Sequence, residues 1–213
     1  MSKKLLMNNG ISTDNEGIVK DNLILYLDAM NNTRDGQSSS ITSWHDLSGN
    51  NYDLQGEFSV LNKYITLTDE GWIDIPKAID MKRSTIEIRC KPMYKYTTLL
   101  GITHLYNRPF IQFPQYLDTT TMVLFGNDAG TFGDVGLSSD FNTYTFTFNN
   151  GNYVGYLNGV KKFSGKKTST SIPYEWLYFK LYNGSYCSVR IYNEVLSEDD
   201  ILSNYNYDSE IYP

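Results

Sequence analysis

Two cysteines, two histidines and six prolines are all that 213 residues supply, and each scarcity removes a class of protein. Cys90 and Cys187 lie far apart, each inside a strand-like run (IEIRC and SYCSVRIY), so neither has a second cysteine at metal-binding spacing. Two buried free thiols are expected, since isolated cysteines behave as small hydrophobes. A disulfide between neighbouring strands is the alternative, although it does not match a cytoplasmic setting. His45 and His104 find no G-x-S-x-G elbow and no H-E-x-x-H helix, and no phosphate-binding or dinucleotide glycine pattern is present. No run of about 18 apolar residues could span a bilayer. The apolar stretch Leu5–Met7 after the opening lysines is far shorter than the roughly 7 to 15 residues of a signal h-region, so neither membrane insertion nor Sec export is expected. Positive charge is also short: 18 Lys and Arg against 24 Asp and Glu leave a net charge of −6. Nucleic acid, which needs a clustered positive field, is not an expected partner.

What the chain has is rings. Aromatic residues make up 15% of it, with 18 Tyr among them, and these either fill a β core or form a sugar-stacking surface. With 40% hydrophobic and 20% charged residues the chain is too apolar to be disordered. Its length suffices to bury roughly 70% of the unfolded surface in one core. One domain over residues 21–213 is expected, preceded by a polar N-terminal arm at 1–20.

Short strand-like runs separated by turn residues fill most of the chain: LILYLD from Leu23, then segments beginning at Tyr64, Trp72, Thr85, Thr97, Met122, Tyr144, Tyr153, Val160, Trp176 and Ser188. Residues 31–43 read as a polar loop. This spacing predicts an all-β sandwich. Asn150-Gly151 and Asn158-Gly159 each separate two such runs, and Asn-Gly favours the two-residue type I′ hairpin turn, so residues 143–164 should form a three-stranded meander. Within it Tyr144, Phe146 and Phe148 share the core face and Thr145 and Thr147 the opposite one. One short helix is expected, because Ser197 stands three residues before Asp200 in a capping box and Ile201, Leu202 and Tyr205 follow at helical spacing. Leu196, Ile201 and Leu202 should pack over the sandwich.

In WHDLSGN, Asp46 and Ser48 can bond backbone N–H groups of the turn while Gly49 takes a positive φ and Trp44 and Leu47 anchor it. The alternative is that Asp46, Asn50 and Asn51 offer oxygens to calcium, although only one of them is a carboxylate and calcium takes six to eight oxygens. The least regular stretches are 104–120, with Pro109 and Pro114, and 125–136. As long loops on a rigid sandwich they would carry recognition. Tyr106, Arg108, Phe110 and Tyr116 could stack on and bond to a sugar or a neighbouring subunit, and Asn127, Asp128 and Asp134 could bond hydroxyls or hold calcium. Plain turns and a core strand bearing Phe110 and Phe113 are the competing reading.

Taken together, GIVKDNLILYLDA (17–29), WHDLSGNNYDLQG (44–56), GWIDIP (71–76), STIEIRCKP (84–92), FTFNNGNYVGYLNGVKKFSG (146–165) and VRIYNEVLSEDDILSNYN (189–206) resemble the concanavalin A-like lectin and glucanase superfamily, in the laminin-G-like form of bacteriophage structural proteins. The resemblance implies a two-sheet antiparallel jelly roll whose opening and closing strands lie together. The glucanases of that superfamily use an acidic pattern E-x-D-x-x-E on one strand. The matching run here offers only Glu87, with Arg89 two residues on, and Asp69, Glu70 and Asp74 straddle a turn at Gly71. No enzyme is therefore expected. The resemblance implies a virion component assembled in the host cytoplasm, a capsid decoration, head-fibre or tail accessory protein, oligomeric in the particle and docked on other virion proteins through the arm. A carbohydrate-binding adhesin contacting bacterial surface glycan is the alternative, and a glycoside hydrolase the least supported. No cofactor is expected beyond the calcium alternative.

Overall fold

The structure, a computed structural model, describes residues 17–30, 40–61, 63–67, 71–74, 83–92, 98–102, 109–112, 121–124, 128–131, 140–166, 178–181 and 184–213. Its elements are β1 (Leu23–Asp28), β2 (Ser40–Trp44), β3 (Leu54–Leu61), β4 (Tyr64–Leu67), β5 (Gly71–Asp74), β6 (Arg83–Pro92), β7 (Thr98–Ile102) and β8 (Pro109–Gln112). They continue as β9 (Thr121–Leu124), β10 (Asp128–Thr131), β11 (Asn142–Asn149), β12 (Asn152–Leu157), β13 (Val160–Lys166), β14 (Tyr178–Leu181), β15 (Gly184–Tyr192) and the helix α1 (Glu198–Ile211). The protein is antiparallel β with a single C-terminal helix among the described residues.

β15 organises the pairing. One edge pairs with β6 along its length, while the other pairs with β4 at Gly184–Tyr186 and with β1 at Ser188–Tyr192. The opening and closing strands are thus neighbours. β11, β12 and β13 extend the sheet beyond β6, and the two Asn-Gly turns that join them have positive φ at all four central residues, as a type I′ turn demands.

The two faces of this sheet differ in chemistry. Leu25, Leu27, Ile86, Ile88, Tyr144, Phe146, Phe148, Val189 and Ile191 pack with Trp44, Leu54, Phe58 and Ile65 in the main core. The expected core rings of β11 are therefore in place. The other face carries Tyr26, Asp28, Thr85, Glu87, Arg89, Thr143, Thr145, Ser188, Arg190 and Tyr192, all buried, because α1 covers it. A capping box starts that helix, with the Ser197 hydroxyl accepting from the Asp200 N–H and the Asp200 side chain accepting from the Ser197 N–H.

Several expectations need correcting. The loop expected at 31–43 contains strand residues, since Ser40–Ser43 belong to β2, which pairs with β3. β3 is not apparent in the sequence because Gly56 leaves an inward position of its alternation without an apolar side chain, yet Leu54, Phe58 and Val60 are buried. Of the two readings of 104–120, the one with a strand bearing Phe110 holds, as β8, and 125–136 contains β10 in place of turns alone; Pro109 sits where proline is tolerated, at the first residue of a strand. Leu202 is 42% exposed, because α1 turns Ile201, Asn204 and Asp208 inward. Cys90 and Cys187 are buried free thiols, so the disulfide alternative fails. Burial pushes the Cys187 thiol up to about 12.

Candidate functional site

Of the residues singled out for recognition, Tyr106, Arg108, Tyr116, Asn127 and Asp134 lie outside the described residues. Phe110 falls in β8 and Asp128 in β10. β9 pairs with both strands, so that Ile111, Leu124 and Asp128 stand in one row and Phe110 precedes it by one residue. The backbone therefore brings these two positions onto one three-strand ribbon. His104, Asp69 and Glu70 also lie outside the described residues.

The Asp46 turn is fully engaged by its own fold. One carboxylate oxygen accepts from the N–H groups of Tyr26 and Ser48, both at 2.9 Å, and the other from the Ser48 hydroxyl at 2.8 Å and the Tyr52 N–H at 3.1 Å. Gly49 has φ of +93°, and the buried Trp44 packs edge-on against Phe58. The carboxylate that the calcium alternative requires is committed to N–H and O–H donors, and no group of three metal-ligating side chains occurs among the described residues. His45 bonds Asp53 at 2.8 Å, and Asp53 also accepts from the Asp46 N–H.

The most unusual chemistry is on the sheet face beneath α1. Register places Tyr26, Arg190, Glu87 and Thr145 in one row across β1, β15, β6 and β11. Period-two alternation aims all four side chains at the helix. The Glu87 carboxylate accepts from Asn204 Nδ2 at 2.6 Å, Thr145 Oγ1 at 3.3 Å and Arg190 Nη1 at 3.4 Å. Arg190 also donates to Asp208, which accepts from the Ser188 hydroxyl at 2.8 Å. The Arg190 guanidinium lies 5.4 Å from the Tyr26 ring centroid. In the adjoining row Arg89 donates to Thr143 Oγ1 and to the Tyr212 carbonyl, and Asp28 accepts from the hydroxyls of Tyr26 and Tyr212.

Burial raises the Glu87 carboxyl to about 7, opposed by the charge of Arg190. For Arg190, burial works against the charge, but Asp208, Tyr192, Tyr26 and Glu87 around it together outweigh this and raise its pKa. A carboxyl of this kind could exchange a proton near neutrality. The Glu87 and Arg190 side chains are 1% and 0% exposed, however, and their bonds to Asn204 and Asp208 tie α1 to the sheet. Sequence reasoning saw Glu87 but not its partners. Asn204 and Asp208, one helical turn apart in an otherwise exposed-looking helix, were the available signal.

No family model and no curated protein sequence matches the chain. Solved structures do. Trypanosoma rangeli sialidase in complex with sialic acid is similar over 89% of this chain and 33% of its own, with a TM-score of 0.68 at 13% identity. The botulinum neurotoxin serotype D binding domain is similar over 88% of this chain and 52% of its own, with a TM-score of 0.62 at 14% identity. The receptor binding domain of botulinum neurotoxin C/D mosaic serotype gives a TM-score of 0.63 over the same shares. The chain thus spans a third of the sialidase and about half of the toxin domains, and at these identities the likeness is one of fold.

Proposed function

We propose that the chain is a non-catalytic recognition module of the jelly-roll type that binds glycan. The observation that carries this reading is the fold likeness over nearly the whole chain to a sialidase solved with sialic acid and to a toxin receptor binding domain. The pairing of β1 with β15 agrees with the jelly-roll arrangement that the sequence resemblance implies. The case against hydrolysis is local: Glu87, the one carboxylate on the strand where a glucanase pattern would sit, is sealed under α1 and bonded on both oxygens. Recognition is then assigned to Tyr106, Arg108, Tyr116, Asn127 and Asp134, which lie outside the described residues.

A glycan array that includes sialylated sugars, run with and without calcium, tests the proposal. Binding that disappears in Tyr106→Ala and Tyr116→Ala variants of unchanged thermal stability is the expected result. A blank array in both conditions refutes it. Turnover of any glycoside, lost in Glu87→Gln, would restore the hydrolase reading.

The setting that the sequence resemblance suggests is a bacteriophage particle, with the polar N-terminal segment docking on a neighbouring virion protein. Val19 is already held by the body, through Asn204 Oδ1 and the Tyr192 hydroxyl. Removal of residues 1–16 therefore isolates the docking role. Co-sedimentation with capsid or tail particles should vanish on that truncation, and a full chain that never co-sediments contradicts the virion reading.

A further inference from the structure

The two Asn-Gly turns have the same dipeptide and the same left-handed backbone, with φ of 49° and 87° at Asn150 and Gly151 and 51° and 75° at Asn158 and Gly159. Their surroundings differ. Asn150 is exposed at the hairpin tip, and among the described residues its side-chain amide donates to the exposed Asn149 Oδ1 at 3.2 Å. Asn158 is half-buried. Its Oδ1 accepts from the Thr143 N–H at 2.9 Å, its Nδ2 donates to Asn142 Oδ1 at 2.8 Å, and its own N–H donates to the Thr143 carbonyl at 2.8 Å. A Cβ added at Gly159 would come within 3.0 Å of Leu202 Cδ1 and 3.4 Å of Tyr205 Cδ1, so this second turn is seated against α1.

We propose that Asn150 is a site of spontaneous covalent modification, converting to aspartate and isoaspartate, and that Asn158 is held out of the same reaction by the fold. The backbone nitrogen of Gly151 attacks Cγ of Asn150, its proton passes to solvent, and the side-chain nitrogen leaves as ammonia. Water then opens the five-membered imide at either carbonyl. The net reaction consumes one water and releases one ammonia, with no change of oxidation state.

Glycine favours the attack because no side chain shields its nitrogen. The remaining barrier is to rotate Asn150 out of the turn conformation and bring Cγ over that nitrogen. At the Asn150 tip this breaks one exposed contact, whereas at Asn158 it breaks two side-chain bonds and lifts the turn from the helix. Product formation adds a negative charge to the tip. Isoaspartate also inserts a methylene into a two-residue turn whose flanking residues Asn149 and Asn152 are paired, so the modified hairpin loses its register.

The test is peptide mapping of the folded chain after incubation in mildly alkaline buffer, with the urea-unfolded chain alongside. In the unfolded chain both sites should convert at similar rates. In the folded chain Asn150 should lead Asn158 by roughly thirtyfold, the factor that two hydrogen bonds of ordinary net strength impose. Isoaspartate should be detectable by isoaspartyl methyltransferase labelling of the isolated peptide that carries Asn150, apart from the peptides that carry Asn9-Gly10, Asn158-Gly159 and Asn183-Gly184, and that peptide should be unlabelled in Asn150→Gly, which keeps a turn that glycine tolerates. Equal rates at the two sites in the folded chain, or faster conversion at Asn158, would overturn the proposal. So would an Asn150 that stays intact while the unfolded chain converts.

Discussion

The side-chain amide of Asn204, on α1, donates a 2.6 Å hydrogen bond to the carboxylate of Glu87, on β6, across 117 residues of sequence. The helix is therefore fastened to the sheet by polar groups that water never reaches, and the strength of that fastening follows the protonation of one carboxyl.

Burial raises Glu87 from 4.5 to about 7. Between those values the folded chain holds a proton that the unfolded chain releases, so the stabilisation from this group is complete below about 4.5 and is lost as pH rises through about 7. The shift corresponds to roughly 3 kcal/mol over that window. Urea midpoints measured across it should fall with rising pH more steeply for the native chain than for Glu87→Gln. Parallel curves for the two proteins would remove Glu87 as the cause.

Arg190 is the only cation bonded to both Glu87 and Asp208 among the described residues. Arg190→Met should destabilise by about 3 to 5 kcal/mol, since it strands two buried carboxylates. The triple change Arg190→Met, Glu87→Leu, Asp208→Leu should recover most of that loss, because well-packed apolar groups often replace a buried ion cluster without penalty. Chemical denaturation of the four proteins formed by the native chain, the Arg190 variant, the double carboxylate variant and the triple variant measures the coupling. Additive losses would mean that the charges do not interact.

On β12 and β13 each glycine faces a ring. Tyr153 stands opposite Gly165 and Phe163 opposite Gly155, and a Cβ at either glycine would fall 2.3 Å or 2.2 Å from the facing ring. Gly155→Ala should cost about 1 to 3 kcal/mol by overpacking. Thermal denaturation should show that loss shrinking when Phe163→Leu is added, and a loss untouched by Phe163→Leu would locate the strain elsewhere.

Asp46→Ala should remove four hydrogen bonds at once and cost roughly 3 kcal/mol, taking about 1 kcal/mol for each bond less partial rescue by water. Calcium should leave the melting temperature of the native chain unchanged, since the Asp46 oxygens face donors. A calcium-dependent rise that Asp46→Ala abolishes would reinstate the metal reading.

The parts of this fold that were legible in the sequence are those governed by local rules. Asn150-Gly151, Asn158-Gly159 and Ser197 with Asp200 specify turns and a cap through their own backbones, and all three took the expected form. Alternation on β11 placed its rings and threonines on opposite faces for the same reason. β3 was missed where Gly56 interrupts the inward pattern and partner strands supply the pairing. The polar face under α1 was illegible for a different cause. Glu87, Arg190 and Asp208 look like surface residues one at a time, and only the cross-strand register shows that their charges meet. Of the recognition residues, Phe110 was open between loop and strand in the sequence and Asp128 between loop and turn, and both lie on strands that pair with the same neighbour.

The Tyr212 hydroxyl donates to Asp28 across 184 residues, and the Tyr212 carbonyl accepts from Arg89. During synthesis, β1 leaves the ribosome long before β15 and α1 exist, so the pairing of its edge with β15 and the bond of Asp28 to Tyr212 wait while more than a hundred and fifty residues are added. Closing so long a loop last makes folding slow, and it makes the nascent chain dependent on its final helical turns. A stalled or shortened chain would be a target for chaperones and proteases well before it could bind anything.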